Sequence, residues 1–209
     1  MGKDTFVNCL SHFAYVRHIS IADPAKRLAT AIGWDGSKSE ADRKFLSDLK
    51  KLIDDYNDYN FRYISQAVNS YNFEPTPHIS FLCIDMREKT QIERAKLKFK
   101  VETVLIKRSS VKHITSNMAD AGVFDSDYDY YIDNDGTIDD LNKTAKQFVK
   151  TLVKKEVTDL MYREGADKSY ADKAITDAVL EAILNKKVTP IGAALVLLHK
   201  SRRDLIENS

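Results

Sequence analysis

The first residues of the chain, Gly2, Lys3, Asp4 and Thr5, place a glycine, a cation and a hydroxyl group before apolar residues at helical spacing. Those apolar residues predict a helix over residues 5–15. The free amides and positive dipole end of a helix N-terminus attract phosphate, and a lysine adds a mobile positive charge. The combination is compatible with a phosphate-binding turn, although a solvated chain start is the commoner explanation of four such residues.

A second charged group opens the next predicted helix, which begins at Asp23-Pro24 and ends near Gly33. Asp23 can accept hydrogen bonds from free helix amides, and Pro24 stands where a missing N–H does no harm. A helix start therefore explains both residues, and Lys26 and Arg27 form a solvated face in this interpretation.

Further along, Arg43 belongs to a helix predicted over residues 41–56. Its planar guanidinium could hold a phosphate by two parallel contacts, and an exposed helix face is the alternative. Several tyrosines follow, namely Tyr56, Tyr59, Tyr63 and Tyr71. They could stack on a base, but packing between helices is the commoner role of such rings.

An almost continuous apolar run over residues 78–84 predicts a buried parallel strand. Asp85 and Arg87 come just beyond it, where open α/β sheets bind ligands. The alternative for Arg87 is a helix-capping pair with Glu88 or Glu93.

Two more strands are predicted, over residues 101–107 and 128–132. Arg108 directly follows the first, and a long polar loop over residues 109–126 separates the two. After the second, Asn134 and Gly136 belong to a predicted turn.

Helices dominate the rest of the chain. Thr137 is placed to cap a helix that starts near Ile138 and extends to about residue 162. Two further amphipathic helices are predicted over residues 168–185 and 190–207, with no strand between them. Strands that alternate with helices earlier in the chain predict an α/β fold with a parallel sheet.

In order, these pieces resemble the P-loop nucleoside and nucleotide monophosphate kinases over roughly residues 2–150. Residues 2–5 resemble the end of the phosphate-binding loop, and residues 22–26 resemble the start of the acceptor region in phage-type deoxynucleoside monophosphate kinases. Residues 84–93 and 128–141 resemble that family's strand-end and final-turn patterns. The resemblance implies a three-layer P-loop kinase-like parallel sheet flanked by helices, with acceptor-binding helices over about 24–72, a lid over about 88–120, a core domain over 1–150 and a helical C-terminal extension over 151–209.

The activity implied by the resemblance is phosphoryl transfer from ATP, with Mg²⁺, to a (deoxy)nucleoside monophosphate. Donor phosphates would be bound by Gly2, Lys3, Asp4 and Thr5, with Thr5 also near the metal. The implied catalytic residues are Lys3, Arg87 and Arg108. The implied acceptor-binding residues are Asp23, Lys26, Arg43, Asp85 and Arg87, and Asn134 and Gly136 would lie on the side of the donor base.

The chain begins inside the loop that this family uses, and the strand that precedes the loop would be central to the sheet. Neighbouring strands would lose hydrogen-bond partners without it, so we expect weak kinase activity or none from the chain as given. The alternatives are a catalytically weak nucleotide-binding or interaction protein on the same fold, and a dephospho-coenzyme-A kinase-like enzyme. A helical partner-binding module over residues 150–209 is a further class, with a docking stripe of Leu180, Ile183, Leu184, Ile191, Leu195 and Leu198.

Composition narrows the classes of partner. With 32 basic and 31 acidic residues, the net charge of +1 gives no general reason to expect a nucleic acid polymer or an anionic membrane. Small-molecule nucleotides are the expected partners, and the oligomeric state and acceptor base stay open.

The two cysteines predict reduced thiols in a cytoplasmic protein, and the longest apolar run, residues 191–198, is far shorter than the ~20 residues of a membrane span.

Overall fold

The computed structural model describes residues 2–73, 78–109 and 127–207. Most of its helices begin and end close to the predicted positions, but the first helix, predicted over residues 5–15, ends at Leu10, before a strand that begins at Tyr15. The helices are α1 (Lys3–Leu10), α2 (Asp23–Ala31), α3 (Glu40–Asn57), α4 (Tyr59–Phe73), α5 (Lys89–Phe99), α6 (Ile138–Arg163), α7 (Lys168–Ala174), α8 (Asp177–Leu184) and α9 (Pro190–Glu207). Within these residues, no helix is both long enough and apolar enough to traverse a bilayer.

The strands form two separate parallel pairs. β1 (Tyr15–Ser20) pairs with β2 (Ser80–Asp85), and β3 (Val104–Lys107) pairs with β4 (Tyr130–Asp133). The backbone bonds from the Tyr15 amide to the Ile79 carbonyl and from the Ile21 amide to the Asp85 carbonyl keep one constant register.

The prediction of a three-layer P-loop kinase-like parallel sheet is therefore wrong. The structure is 63% helical, and its sheets have two strands each. The apolar run that predicted a fully buried strand gives β2, whose six residues are all only half-buried. A strand central to a layered sheet is covered on both faces, whereas β2 is not. The apolar run identified β2 but carried no information about which strand pairs with it.

The helix predicted over residues 168–185 is also interrupted. Ile175 leaves the helical conformation, with φ −83° and ψ 84°, and Thr176 precedes α8 as its N-terminal cap. The Ile175 side chain is buried, so the break places an apolar residue in the core between two short helices.

Packing divides the chain into two compact units. The first comprises Met1–Val16, Thr76–Phe81 and Asp133–Ser209, and the second comprises Arg17–Pro75 and Leu82–Ile132. Each unit is therefore assembled from separate stretches of the sequence. The domain boundary predicted at residue 150 falls within the continuous helix α6.

The first unit is built around α6. Val149, Val153, Val157 and Met161 repeat at every fourth position, and each is 1% exposed or less. This spacing places them on one helix face. α1 packs on the same helix, with the ring centres of Phe6 and Phe148 5.7 Å apart.

The second unit has a core formed by α4, β1 and α5. Its buried residues are Ile19, Ile21, Phe61, Ile64, Ala67, Val68 and Ala95. Tyr63 of α4 packs against this cluster. The junction of α3 and α4 is fixed by Asn60, which is fully buried and donates from Nδ2 to the Lys50 carbonyl at 3.1 Å.

Candidate functional site

A shallow groove of about 400 Å³ lies between α2 and α4 in the second unit. Its walls carry charged, hydroxyl and aromatic groups, from Asp23, Lys26, Arg27, Thr30 and Tyr63. The four α2 residues occupy positions i, i+3, i+4 and i+7, so the helix period alone places them on one face. The structure thus joins Asp23 and Lys26, two of the predicted acceptor-binding residues, in one groove.

Asp23 is anchored differently from the expected helix cap. Ala22, not Asp23, occupies the N-terminal cap position of α2. The Oδ2 atom of Asp23 accepts a hydrogen bond from the Ser20 amide at 2.7 Å, and Oδ1 lies 3.4 Å from Lys26 Nζ. The carboxylate therefore ties the end of β1 to the start of α2, while its second oxygen faces the cation of the groove.

Arg27 lies over the ring of Tyr63, with the guanidinium carbon 4.7 Å from the ring centre. This distance is within the range of a cation–π contact. Within the part of the chain that the structure describes, the Arg27 guanidinium forms no ion pair. Its N–H donors are therefore not committed to a carboxylate there.

The charged side chains that line the groove sum to one positive charge. Lys26 and Arg27 provide two positive charges, and Asp23 offsets one of them. Arginine binds phosphate oxygens with a planar fork of donors, and lysine binds them as a point charge. The acceptor-only carboxylate and the Thr30 hydroxyl add sites for hydroxyl or amino groups of a ligand.

The head of α1, in the first unit, brings together Gly2 and Asn134, which were predicted on the donor side. Gly2 has φ 114° and precedes the first turn of α1, and its carbonyl accepts from the Phe6 amide at 2.8 Å. A Cβ atom at this position would lie 2.0 Å from Nδ2 of Asn134. The glycine is thus required both by its backbone conformation and by its neighbour.

Lys3, Asp4 and Thr5, which follow Gly2, are less clearly placed to bind a phosphate. Nζ of Lys3 lies 2.7 Å from the Asp4 carboxylate, and Asp4 and Thr5 are exposed. Lys3 would have to exchange this contact for a phosphate oxygen. The segment offers amides and a cation, but the cation is paired.

The turn that contains Gly136 has a local structural role. Oγ1 of Thr137 accepts from the Asp140 amide at 3.2 Å, and the Asp140 carboxylate accepts from the Thr137 amide at 3.1 Å. This reciprocal pair is a capping box. Bonds from the Thr137 hydroxyl and amide hold the pKa of Asp140 below its usual value. Helix capping accounts for Thr137 and Asp140, the two residues that form this pair.

The predicted arginines lie on different elements. Arg87 follows β2 and Arg108 follows β3, and these strands belong to different sheets. Arg43 is exposed on α3, and Arg87 and Arg108 are exposed as well. β2 belongs to a two-stranded sheet, so Arg87 does not lie at the edge of the open α/β sheet that was predicted. The part of the predicted lid over residues 110–120 lies outside the described residues.

Asp85 has a specific partner on the neighbouring strand. Its Oδ2 atom lies 3.1 Å from Nε2 of His18, and the two side chains are 17% and 31% exposed. Its main-chain carbonyl accepts from the Ile21 amide. The residue predicted to contact an acceptor thus joins β2 to β1.

The proposed docking stripe does not form one exposed face. Leu180, Ile183 and Leu198 are buried, whereas Ile191 and Leu195 are about 60% exposed. The buried members contribute to the core of the first unit, which is the commoner role of such a pattern.

Sequence reasoning missed Thr30 and assigned Arg27 to a solvated face. The i, i+7 spacing of Asp23 and Thr30 could have shown that they share a face. Nothing local indicates that Tyr63, 36 residues after Arg27, lies beneath the guanidinium. That contact depends on how α2 and α4 pack.

No protein-family model matches the chain, and comparison with curated proteins and with solved structures finds no match. The resemblance to monophosphate kinases therefore rests on the sequence pieces alone.

Proposed function

We propose that this protein binds a nucleoside or deoxynucleoside monophosphate in the groove between α2 and α4. The observation that carries the proposal is the single face of α2 that presents Asp23, Lys26, Arg27 and Thr30 to the groove. Two cations, an anchored carboxylate and a hydroxyl group match the mixed polar chemistry of a phosphorylated sugar.

The phosphate is assigned first to Arg27, and Lys26 joins it by exchanging its contact with Asp23 for a phosphate oxygen. Charge-assisted bonds from these groups to phosphate oxygens are stronger than neutral ones. Asp23 and Thr30 are assigned to hydroxyl groups of the ligand's sugar, since a carboxylate only accepts and a hydroxyl group both donates and accepts. The groove volume of about 400 Å³ lies within the ordinary range of small-ligand sites.

The binding test is calorimetric titration of the parent protein with ribo- and deoxyribonucleoside monophosphates. Lys26→Gln should weaken binding by about tenfold, the order expected for one charged hydrogen bond. Lys44→Gln is the matched control, because Lys44 is an exposed lysine paired with Asp48 and lies outside the groove. Failure of the parent protein to bind any monophosphate at millimolar concentration would refute the proposal.

An ATP-dependent phosphotransferase activity on nucleoside monophosphates is the second candidate, and the observation that favours it is the left-handed Gly2 against Asn134 at the head of α1. Lys3 and Thr5, both in the first unit, would hold the donor phosphates. Mg²⁺ supplies charge neutralisation of the donor phosphates when bound. Phosphoryl transfer to dephospho-coenzyme A, instead of to a nucleoside monophosphate, is a variant of this second candidate.

A coupled assay for ADP release separates transfer from binding. Turnover that depends on the monophosphate and decreases in Lys3→Gln would support the kinase. Lys143→Gln is its control, because Lys143 is an exposed lysine of the same unit, paired with Asp140. Binding without turnover would leave a nucleotide-binding protein that does not catalyse transfer.

A further inference from the structure

We infer that Tyr63 is a positioning residue for Arg27, and that the groove recognises the phosphate ester of its ligand while being nearly indifferent to the base. This inference rests on the proposed function, because it concerns the same groove. Tyr63 has the only aromatic ring that lines the described groove, and its role here is not base stacking.

The ring of Tyr63 is already covered by another side chain of the protein. The ring packs against the core cluster of the second unit, and Arg27 lies 4.7 Å above its centre. A base that stacked on the ring at this place would have to displace the guanidinium. The aromatic surface is therefore used within the protein.

The contact with Tyr63 does not use the N–H donors of Arg27. A contact over a ring holds a guanidinium through the ring's electrons and leaves its N–H groups available to oxygen acceptors. Arg27 forms no ion pair among the described residues. A dianionic phosphate matches such an oriented, uncommitted fork.

The remaining groups that line the groove carry no flat surface. Asp23 and Thr30 are small and polar and offer no flat surface to a base. The groove is also shallow, so the base of a nucleotide whose phosphate is bound by Arg27 would extend into solvent. Neither feature distinguishes one base from another.

The experiment compares ligands that share or lack the phosphate. Calorimetry with the parent protein should give dissociation constants for ribose 5-phosphate, AMP and CMP that agree within about threefold. Adenosine, which has the base without the phosphate, should not bind measurably. This series needs no variant, so it remains decisive if a substituted protein fails to fold.

Variants then test the role of Tyr63. Tyr63→Phe keeps a ring and should bind ribose 5-phosphate within about twofold of the parent, whereas Tyr63→Leu should bind about fivefold more weakly. Tyr59→Leu is the control, because Tyr59 belongs to the same helix and does not line the groove. In an Arg27→Ala background, Tyr63→Leu should cause no further loss, since a positioning residue acts only through its partner.

The outcomes separate the two proposals. If no phosphate ester binds, the proposed function fails and this inference fails with it. If AMP binds more than about tenfold tighter than ribose 5-phosphate, or adenosine binds comparably, the inference is overturned while nucleotide binding stands. An additional loss from Tyr63→Leu in the Arg27→Ala background would also overturn it.

Discussion

Gly2 and Asn134 approach each other so closely that a Cβ atom on the glycine would lie 2.0 Å from the asparagine Nδ2. The two residues are 132 positions apart in the chain, and their contact helps to fix the start of α1. Because Gly2 also has φ 114°, any side chain there meets both backbone strain and a steric conflict.

Gly2→Ala should therefore lower the free energy of unfolding by more than backbone strain alone, which costs roughly 1–2 kcal/mol. The added methyl group would force Asn134 to rotate away. Urea denaturation measures the effect, and Gly165→Ala is the control, because Gly165 has φ 91° with nothing within 4 Å of an added Cβ. Equal losses in the two variants would show that the contact with Asn134 is unimportant.

Thr137→Ala should destabilise the protein by about 1 kcal/mol, the usual loss when a capping hydroxyl is removed. The Thr137 side chain accepts a hydrogen bond from the Asp140 amide at the start of α6, and the cap becomes incomplete without it. Thr137→Ser should restore most of the stability. Thr151→Ala is the control, because Thr151 lies inside the same helix, where alanine is the better helix former. A comparable loss in Thr151→Ala would contradict a specific capping role.

Asp58 should contribute to stability in a pH-dependent way. Hydrogen bonds from Arg94, and then the positive charges of Arg94, Lys98 and Arg62, hold the pKa of its carboxyl below the usual value. A carboxyl with a lowered folded-state pKa stabilises the protein above its unfolded pKa, and this contribution disappears as pH falls through the folded-state value.

Asp58→Asn tests this directly, since asparagine tolerates the left-handed backbone of Asp58, where φ is 57°. The parent should exceed the variant in urea midpoint near pH 7, and the difference should decrease as pH falls below about 4. Asp48→Asn serves as control, because Asp48 lies on α3 in an exposed pair with Lys44. A difference that stays constant from pH 7 to pH 3 would contradict the assignment.

Cys83 should react slowly with thiol reagents in the folded protein. Burial, together with the negative charge of Asp85, raises its pKa to about 11. At pH 8 the reactive thiolate is then a minor species, on the order of one part in a thousand. Labelling followed by mass spectrometry should show slow modification at pH 8, faster modification as pH rises, and rapid modification in urea. Fast labelling of the native protein at pH 8 would contradict this prediction.

The sequence predicted what local chemistry determines. Helix periodicity and capping located α6, because Thr137 and Asp140 are three residues apart and need no distant partner. The apolar run over residues 78–84 located β2, but the pairing of β1 with β2 and of β3 with β4 depends on long-range packing. The same holds for the site: Asp23 and Lys26 were identified from one segment, whereas the contact between Arg27 and Tyr63 requires two helices to meet.

The division of the first unit into separate stretches has a consequence for synthesis on the ribosome. α1 carries the buried side chains Phe6, Cys9 and Leu10, and it packs against α6, which begins at Ile138. The apolar face of α1 therefore cannot be covered by α6 until more than a hundred further residues have been translated. A nascent chain in that state is a natural client for chaperones that shield apolar segments.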